Sequence, residues 1–453
     1  THVYEKCFRS PGHEARRTDA YREHKPLLLG KSNSSTAMRP YEARRDRRLT
    51  SLPFYHAASG YELDTSIGGV SQYEYPYQAA LNADGTVVAV GAPVTPHHLP
   101  GVNEYLPYSA GIVRVYEKVG DTWQRRGSDH DLRGDRNNER SGWTSALNND
   151  GNVLAVGSPW WGPPNHRGRV KVYQWSGTAW SQVGLALEGG GDMHEFGDAL
   201  ALNGDGTVVA IGAQIANGQT GYTRVYDWDG SAWQLRTQID GTVSSMRYGS
   251  AVALSDDGTV LAAGAKGASK VLVHKWNGAS WDQMGSEIIG THNLGYDVSL
   301  SSDGFTLIAG ASGSAPGHAK VFTLDDTDWT QKGDSIYGVA SGEQHVIAVA
   351  VNGNGGVVAV GLPRHQNGRA RVYAWDGSQW RQIGGDLEGT LFEDHAGYCV
   401  ALSDDGSVLL SLAGESNDGR GEALVYDVSF YETAPPLPPS PPHPPPAPPR
   451  SPP

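Results

Sequence analysis

The sequence predicts an all-β fold: a seven-bladed β-propeller, closed by an N-terminal strand and flanked by an extended N-terminal arm and a polyproline II C-terminal tail. Three observations carry this. An Asx-Gly turn following a short apolar segment recurs at Asp84-Gly85, Asp150-Gly151, Asp205-Gly206, Asp257-Gly258, Asp303-Gly304, Asn354-Gly355 and Asp405-Gly406, spaced 66, 55, 52, 46, 51 and 51 residues apart. Each repeat divides into four strand-like pieces, and four-stranded units of this length stack radially around a channel. Glycine supplies 59 of the 453 residues and no run of 18 apolar residues occurs, which disfavours long helices and a bilayer-spanning helix alike.

The elements follow in order. The first strand of each unit is small and apolar, as in Ala251 to Leu254, and the side chain four residues before each turn Asp or Asn is Ala or Ser (Ala80, Ala146, Ala201, Ala253, Ser299, Ala350, Ala401). Small side chains at one register position suit strands crowded around an axis. The Asx-Gly pair is a tight-hairpin signal because Gly accepts positive φ. A continuous apolar second strand follows, such as Thr207 to Gly212. The third ends in a Val-Tyr-like pair, as in Val170 to Tyr173 and Arg371 to Tyr373. A Trp-Asp-Gly-type turn then leads to a fourth strand opened by Trp123, Trp180, Trp233, Trp281, Trp329 or Trp380.

The last unit lacks that fourth strand, because after Ala423 to Val428 the chain runs into proline. The stretch from Tyr61 to Gly68 resembles the Trp233 to Gly241 stretch in composition and in its offset from the next turn, 23 residues before Asp84 against 24 before Asp257. Residues 60–67 are therefore expected to complete the seventh blade, which removes an exposed sheet edge. The division is 1–59 arm, 60–430 propeller and 431–453 tail. Arm and tail are expected to leave the same face side by side, with the second-to-third-strand loops on the opposite face.

Phe196-Gly197-Asp-Ala-Leu followed by Gly206 to Gly212, with Gly91-Ala92-Pro93 in the first unit, resembles the FG-GAP repeat of integrin-α-type seven-bladed propellers over about residues 60–430. The glycine eight residues before the turn recurs at Gly142, Gly249, Gly295 and Gly397. That family often carries a calcium loop at the turn. Here Asn203-Gly-Asp205-Gly and Ser255-Asp-Asp257-Gly offer too few oxygen ligands, so plain Asx turns are expected, with no metal and no cofactor. The tail, with 13 prolines in the 19 residues from Pro435 to Pro453, resembles hydroxyproline-rich glycoproteins of green-algal cell surfaces. The resemblance implies hydroxylation and O-glycosylation at Pro438, Pro439, Pro441, Pro442, Pro444, Pro445 and Pro446. As a polyproline II rod the tail would span roughly 59 Å at about 3.1 Å per residue.

The net charge of −13 conceals a split. Residues 1–50 carry 12 Lys/Arg against 6 Asp/Glu, whereas 51–434 carry 23 against 43. An arm punctuated by acidic residues is a poor tracker of phosphates, so no nucleic-acid partner is expected. Its nearest complement is the acidic body of another copy, with Arg44, Arg45, Arg47 and Arg48 as the ion-pairing group.

Among other candidates, Trp160 and Trp161 in a second-to-third-strand loop are placed to stack on a glycan or a polyproline segment, against the alternative of packing on the adjacent blade. His97, His98, Tyr105 and Tyr108 lie in the long loop of the first unit. His194, His292, His345 and His395 precede first strands, beside Glu195, Glu393 and Asp394, where turn polarity accounts for them without a metal. Cys7 and Cys399, the only cysteines, permit a bridge, with a small core side chain as the alternative for Cys399. Asn33 opens the one N-glycosylation sequon. No nucleophile elbow, Walker loop, zinc spacing or dinucleotide fingerprint occurs, so no enzymatic activity is expected. The expected function is an extracellular structural glycoprotein, a protomer that joins other copies of itself in a filament or cell-surface matrix, without membrane insertion. The alternative is a secreted carbohydrate-binding or adhesion propeller on a proline-rich stalk.

Overall fold

The computed structural model describes residues 62–429, apart from 69–75, 95–109, 128–130, 137, 163–164, 314–316, 339–345, 365–366, 390–393 and 415–420. Seven antiparallel sheets follow one another along the chain, the first six with their strands in sequence order from the axis outward and the seventh with its outer strand taken from the N-terminal end of the described chain. In the third, Ala199–Leu202, Val208–Ala213, Tyr222–Trp228 and Trp233–Asp240 pair in turn. The first strands of consecutive sheets touch all the way round, and the circle closes between Ala396–Leu402 of the seventh and Gln78–Leu81 of the first. The chain is a seven-bladed β-propeller.

Closure is as the sequence predicts. Glu62–Gly68 pairs antiparallel with Glu422–Asp427 and becomes the outer strand of the last blade, with Glu62 opposite Asp427 and Gly68 opposite Glu422.

The core is distributed rather than central. Seven apolar clusters fill the seven spaces between neighbouring blades, including the closing one, where Ala79 and Val88 of the first blade meet Leu410, Leu412, Ala423 and Val425 of the seventh. Val, Leu, Ile and Ala dominate because each inner strand is covered on both faces.

The recurrent glycines hold adjacent blades at contact distance. A Cβ on Gly91, in the second strand of the first blade, would meet the Gly142 carbonyl oxygen at 2.2 Å, and Gly142 itself has φ +84°. Gly157 and Gly197 repeat the arrangement one blade on, with 2.4 Å from a Gly157 Cβ to the Gly197 oxygen. The sixth blade departs from the pattern: Val346 stands opposite Gly310, and a Cβ there would lie 3.3 Å from the Val346 oxygen.

The Trp-led fourth strands are present, but not all of them run unbroken. In the first, second, fourth and fifth blades each is split into two pieces that pair with the same third strand, as Trp180–Gln182 and Leu187–Glu188 pair with Arg169–Trp175. Gly184, at φ +72°, stands at the break. In the third blade Thr237 takes the equivalent place, and the strand runs unbroken.

Candidate functional site

The Asx-Gly turns and the third-to-fourth-strand hairpins lie on one face of the ring, the turn face, and the second-to-third-strand loops and blade crossings on the other, the loop face. Each carries an ordered constellation.

On the turn face, the residue two before each turn Asp or Asn is buried Asn or Ser in all seven blades: Asn82, Asn148, Asn203, Ser255, Ser301, Asn352 and Ser403. Its side-chain oxygen accepts the amide five residues on, from Val87 to Asn82 at 2.7 Å through Val408 to Ser403 at 2.9 Å. The following position builds a closed circle of main-chain hydrogen bonds around the axis. Ala83 donates to Asn149, Asn149 to Gly204, Gly204 to Asp256, Asp256 to Ser302, Ser302 to Gly353, Gly353 to Asp404, and Asp404 back to Ala83, at 2.7 to 3.2 Å. Side chains brace this circle across its two glycines: Asn149 Nδ2 donates to Asp256 Oδ2 at 2.9 Å, and Ser302 Oγ stands 3.4 Å from both Asp404 oxygens. Burial, then the charge of Asp256, pushes the Asp404 carboxyl above its ordinary range.

Around the circle stand the turn residues, Asp84, Asp150, Asp205, Asp257, Asp303, Asn354 and Asp405, all exposed. They are Asx turns, as expected: Asp205 Oδ1 accepts the Thr207 amide at 2.9 Å, and Asp405 Oδ1 that of Ser407 at 2.9 Å. Farther out, exposed hairpin carboxylates follow at Asp121, Asp229, Asp282, Asp326 and Asp376. The turn face thus presents two concentric sets of carboxylates, and the strand ends Glu62 and Asp427 are at its edge.

The hairpins carry a second device. Trp175 pairs across strands with Trp180, Trp228 with Trp233, Trp276 with Trp281 and Trp375 with Trp380. The indole N–H of Trp180, Trp233, Trp329 and Trp380 donates into the preceding blade, to the carbonyls of Arg126, Val183, Met284 and Lys332, at 3.2, 3.2, 2.8 and 2.8 Å. The Arg126 guanidinium lies 5.2 Å from the Trp175 ring centre, and the Lys332 amine 5.3 Å from both Trp375 and Trp380.

On the loop face, the residues seven before each turn Asp or Asn stand at or near the starts of the first strands: Tyr77, Trp143, Asp198, Ser250, Tyr296, Ile347 and Tyr398. Three consecutive members are aromatic and in contact, with Tyr77 4.2 Å from Trp143 and 5.4 Å from Tyr398 between ring centres. Trp143 is buried and donates through Nε1 to Asp198 Oδ1 at 2.9 Å; the other Asp198 oxygen accepts from Gln214. Arg140 connects this cluster to the predicted pair. Its guanidinium lies 5.5 Å from the Trp143 ring centre and 3.4 Å from that of Trp160, whose ring also stacks on His166 at 4.8 Å. Trp161 carries Arg169 at 5.0 Å. Arg169 in turn donates to the carboxylate of Glu139, which is 1% exposed and also accepts the amides of Asp135 and Arg136. The Nε1 atoms of Trp160 and Trp161, His166 Nδ1 and the Tyr398 hydroxyl are enclosed without a hydrogen-bond partner among the described residues.

The other predicted residues are dispersed. His194 Nδ1 meets the Tyr222 hydroxyl at 3.0 Å, and burial followed by the Arg224 charge lowers its pKa. His292 stands edge-on to His318 at 5.9 Å, and His395 has φ +57° in a different crossing. Glu195 and Asp394 are buried in crossings of their own. Among the described residues no group of three or more His, Cys, Asp or Glu is placed to hold a metal ion. Cys399 is a free thiol whose Sγ–H donates to the Ala79 carbonyl at 3.3 Å, and burial pushes it up to about 12, as befits a packed side chain rather than a reactive thiolate. Arg44, Arg45, Arg47, Arg48, Asn33, Cys7, Tyr61, His97, His98, Tyr105, Tyr108, His345, Glu393 and the tail prolines lie outside the described residues. No described helix is long and apolar enough to cross a membrane.

No protein-family model matches the chain, and no curated protein matches it. What fold and faces define is its class, a seven-bladed β-propeller with a carboxylate-rich turn face and an aromatic loop face.

Proposed function

We propose that the chain is the structural protomer of an extracellular filament or cell-surface matrix, an FG-GAP-like propeller bead joined to other copies through its basic arm and carrying a glycosylated, hydroxyproline-rich tail. The observation that supports this most is complementary charge within one sequence. The arm holds twice as many basic as acidic residues, and the turn face offers exposed carboxylates in two concentric sets. Arg44, Arg45, Arg47 and Arg48 of one copy meet that face on a neighbour. Guanidinium-carboxylate pairs are short-range and exposed, so the joint weakens with salt. Closure supports the same role: Glu62–Gly68 covers the edge that Glu422–Asp427 would otherwise expose in the last blade, which favours joining through faces and extensions over strand pairing there.

Electron microscopy of the undiluted native material at low salt tests this. Regular filaments with a propeller-sized bead are expected, dispersing as salt rises and failing to form once Arg44, Arg45, Arg47 and Arg48 are replaced by Glu. Dispersed single rings at low salt, or filaments indifferent to the four substitutions, would overturn the assignment of the arm.

A further inference from the structure

The aromatic loop face is not used by the electrostatic joint, and its chemistry is lopsided. Tyr398, Tyr77 and Trp143 form one stretch of ring contacts, Arg140 carries it to Trp160, and the indole N–H groups of Trp160 and Trp161 are enclosed with no acceptor among the described residues. Enclosed donors without acceptors are costly and uncommon, and two on adjacent residues of one loop call for an explanation. At Trp160 and Trp161 the ladder offers ring faces and two N–H donors, while an enclosed acceptor beside it, Gln214 Oε1, lies farther along on the Asp198 side. Its complement is a ligand rich in carbonyls and apolar rings with few N–H groups of its own. Polyproline has that composition: proline has no N–H, the polyproline II helix makes no internal hydrogen bonds, and aromatic grooves bind it with little loss of chain entropy. A saccharide, by contrast, brings donors and acceptors together.

This chain contains such a segment, with 13 prolines between Pro435 and Pro453. We infer that the loop-face aromatic ladder around Tyr77, Trp143, Trp160 and Trp161 is the docking site for the proline-rich segment Pro435–Pro453 of a second copy. The partner follows from position. The strand that leads toward the segment ends at Asp427, opposite Glu62 on the turn face, whereas the ladder is on the other face. A segment as stiff as polyproline II would have to double back along its own blade to reach its own ladder, which favours the ladder of a neighbour. Turn face to loop face is a heterologous contact, which propagates into an open filament. Arg140 is partly exposed and stacked on Trp160, so docking over that ring requires its guanidinium to swing off it. The inference rests on the assembly proposed above and names what passes between copies.

The test is a titration of the dispersed full-length chain, held at high salt, with a fluorescent synthetic peptide of residues 435–453, followed by anisotropy. Saturable binding is expected. Trp160→Phe combined with Trp161→Phe keeps the rings and removes both N–H groups, and is expected to weaken binding about tenfold with an unchanged melting temperature. Leu185→Ala, on the outer rim, is expected to leave binding unchanged. No saturable binding, or equal binding by the double variant, overturns the inference. So does capture of tail-derived oligosaccharides at these tryptophans with the bare peptide ignored, which would make the ladder a sugar site. Because the titration uses dispersed protomers, it stands apart from the filament experiment: filaments with no peptide binding sink this inference alone, and peptide binding without filaments sinks the assembly alone.

Discussion

At the scale of single residues, the most repeated interaction is the clamp two positions before each turn. In the fourth blade Ser255 Oγ accepts the Val260 amide at 2.9 Å, in a place with no exposure to water. Ser255→Ala strands that amide and is expected to cost about 1 to 3 kcal/mol in denaturant unfolding, while Ser255→Asn recovers much of it, because Asn does the same work in the first, second, third and sixth blades. A second prediction concerns His274, buried in the third strand of that blade with its Nδ1 3.5 Å from the Tyr248 hydroxyl. Burial lowers its pKa from 6.5 to about 4. A histidine depressed in the folded state binds its proton more readily when unfolded, so stability is full above the unfolded pKa and falls as pH drops toward the folded one. Up to about 3 kcal/mol is at stake between pH 6.5 and 4, and His274→Phe should flatten that part of the denaturation-midpoint curve. The clamp was open to the sequence, since Asn or Ser precedes every turn at the same offset. The axial circle was not: Ala83, Asn149, Gly204, Asp256, Ser302, Gly353 and Asp404 share no side-chain chemistry, and only their main chains take part.

At the scale of the strand, the tryptophans that open the fourth strands were legible as punctuation but not as staples. Their acceptors are carbonyls of Arg126, Val183, Met284 and Lys332, and a carbonyl is supplied by every residue type, so no letter in the sequence marks the partner. Trp380→Phe keeps the ring over Lys332 and deletes the 2.8 Å bond; a loss of about 1 kcal/mol in thermal or chemical unfolding is expected. The split of the fourth strand was legible only in part: the Gly at its break could be seen, but a glycine inside a strand pattern signals equally a bulge or a close approach. The ladder from Tyr398 to Trp160 was missed apart from its last member, since its residues are contributed by the seventh, first and second blades and come together only when the ring closes.

At the scale of the whole molecule, closure is the property the sequence disclosed best, because the offset of the Tyr61 segment from the first turn matches that of a Trp-led strand from its own. Deleting residues 1–68 would uncover the edge of Glu422–Asp427 and is expected to lower the melting temperature and drive edge-to-edge aggregation, visible by size-exclusion chromatography, whereas deleting residues 1–50 alone should leave both unchanged at high salt. The seven inter-blade clusters make the same point: none is complete without both of its neighbours, so losing the closing strand weakens the seventh blade and, through it, the spaces on either side.

The position of Glu62 opposite Asp427 also fixes how the molecule answers to mechanical force. The two chain extensions continue from the same end of an antiparallel strand pair, so a pull exerted between arm and tail loads its rungs in sequence, beginning at Glu62 and Asp427 and travelling toward Gly68 and Glu422. That is peeling rather than shear, the gentler of the two modes by which paired strands part. Under tension carried from arm to tail, the outer strand of the seventh blade is therefore the first element to come away.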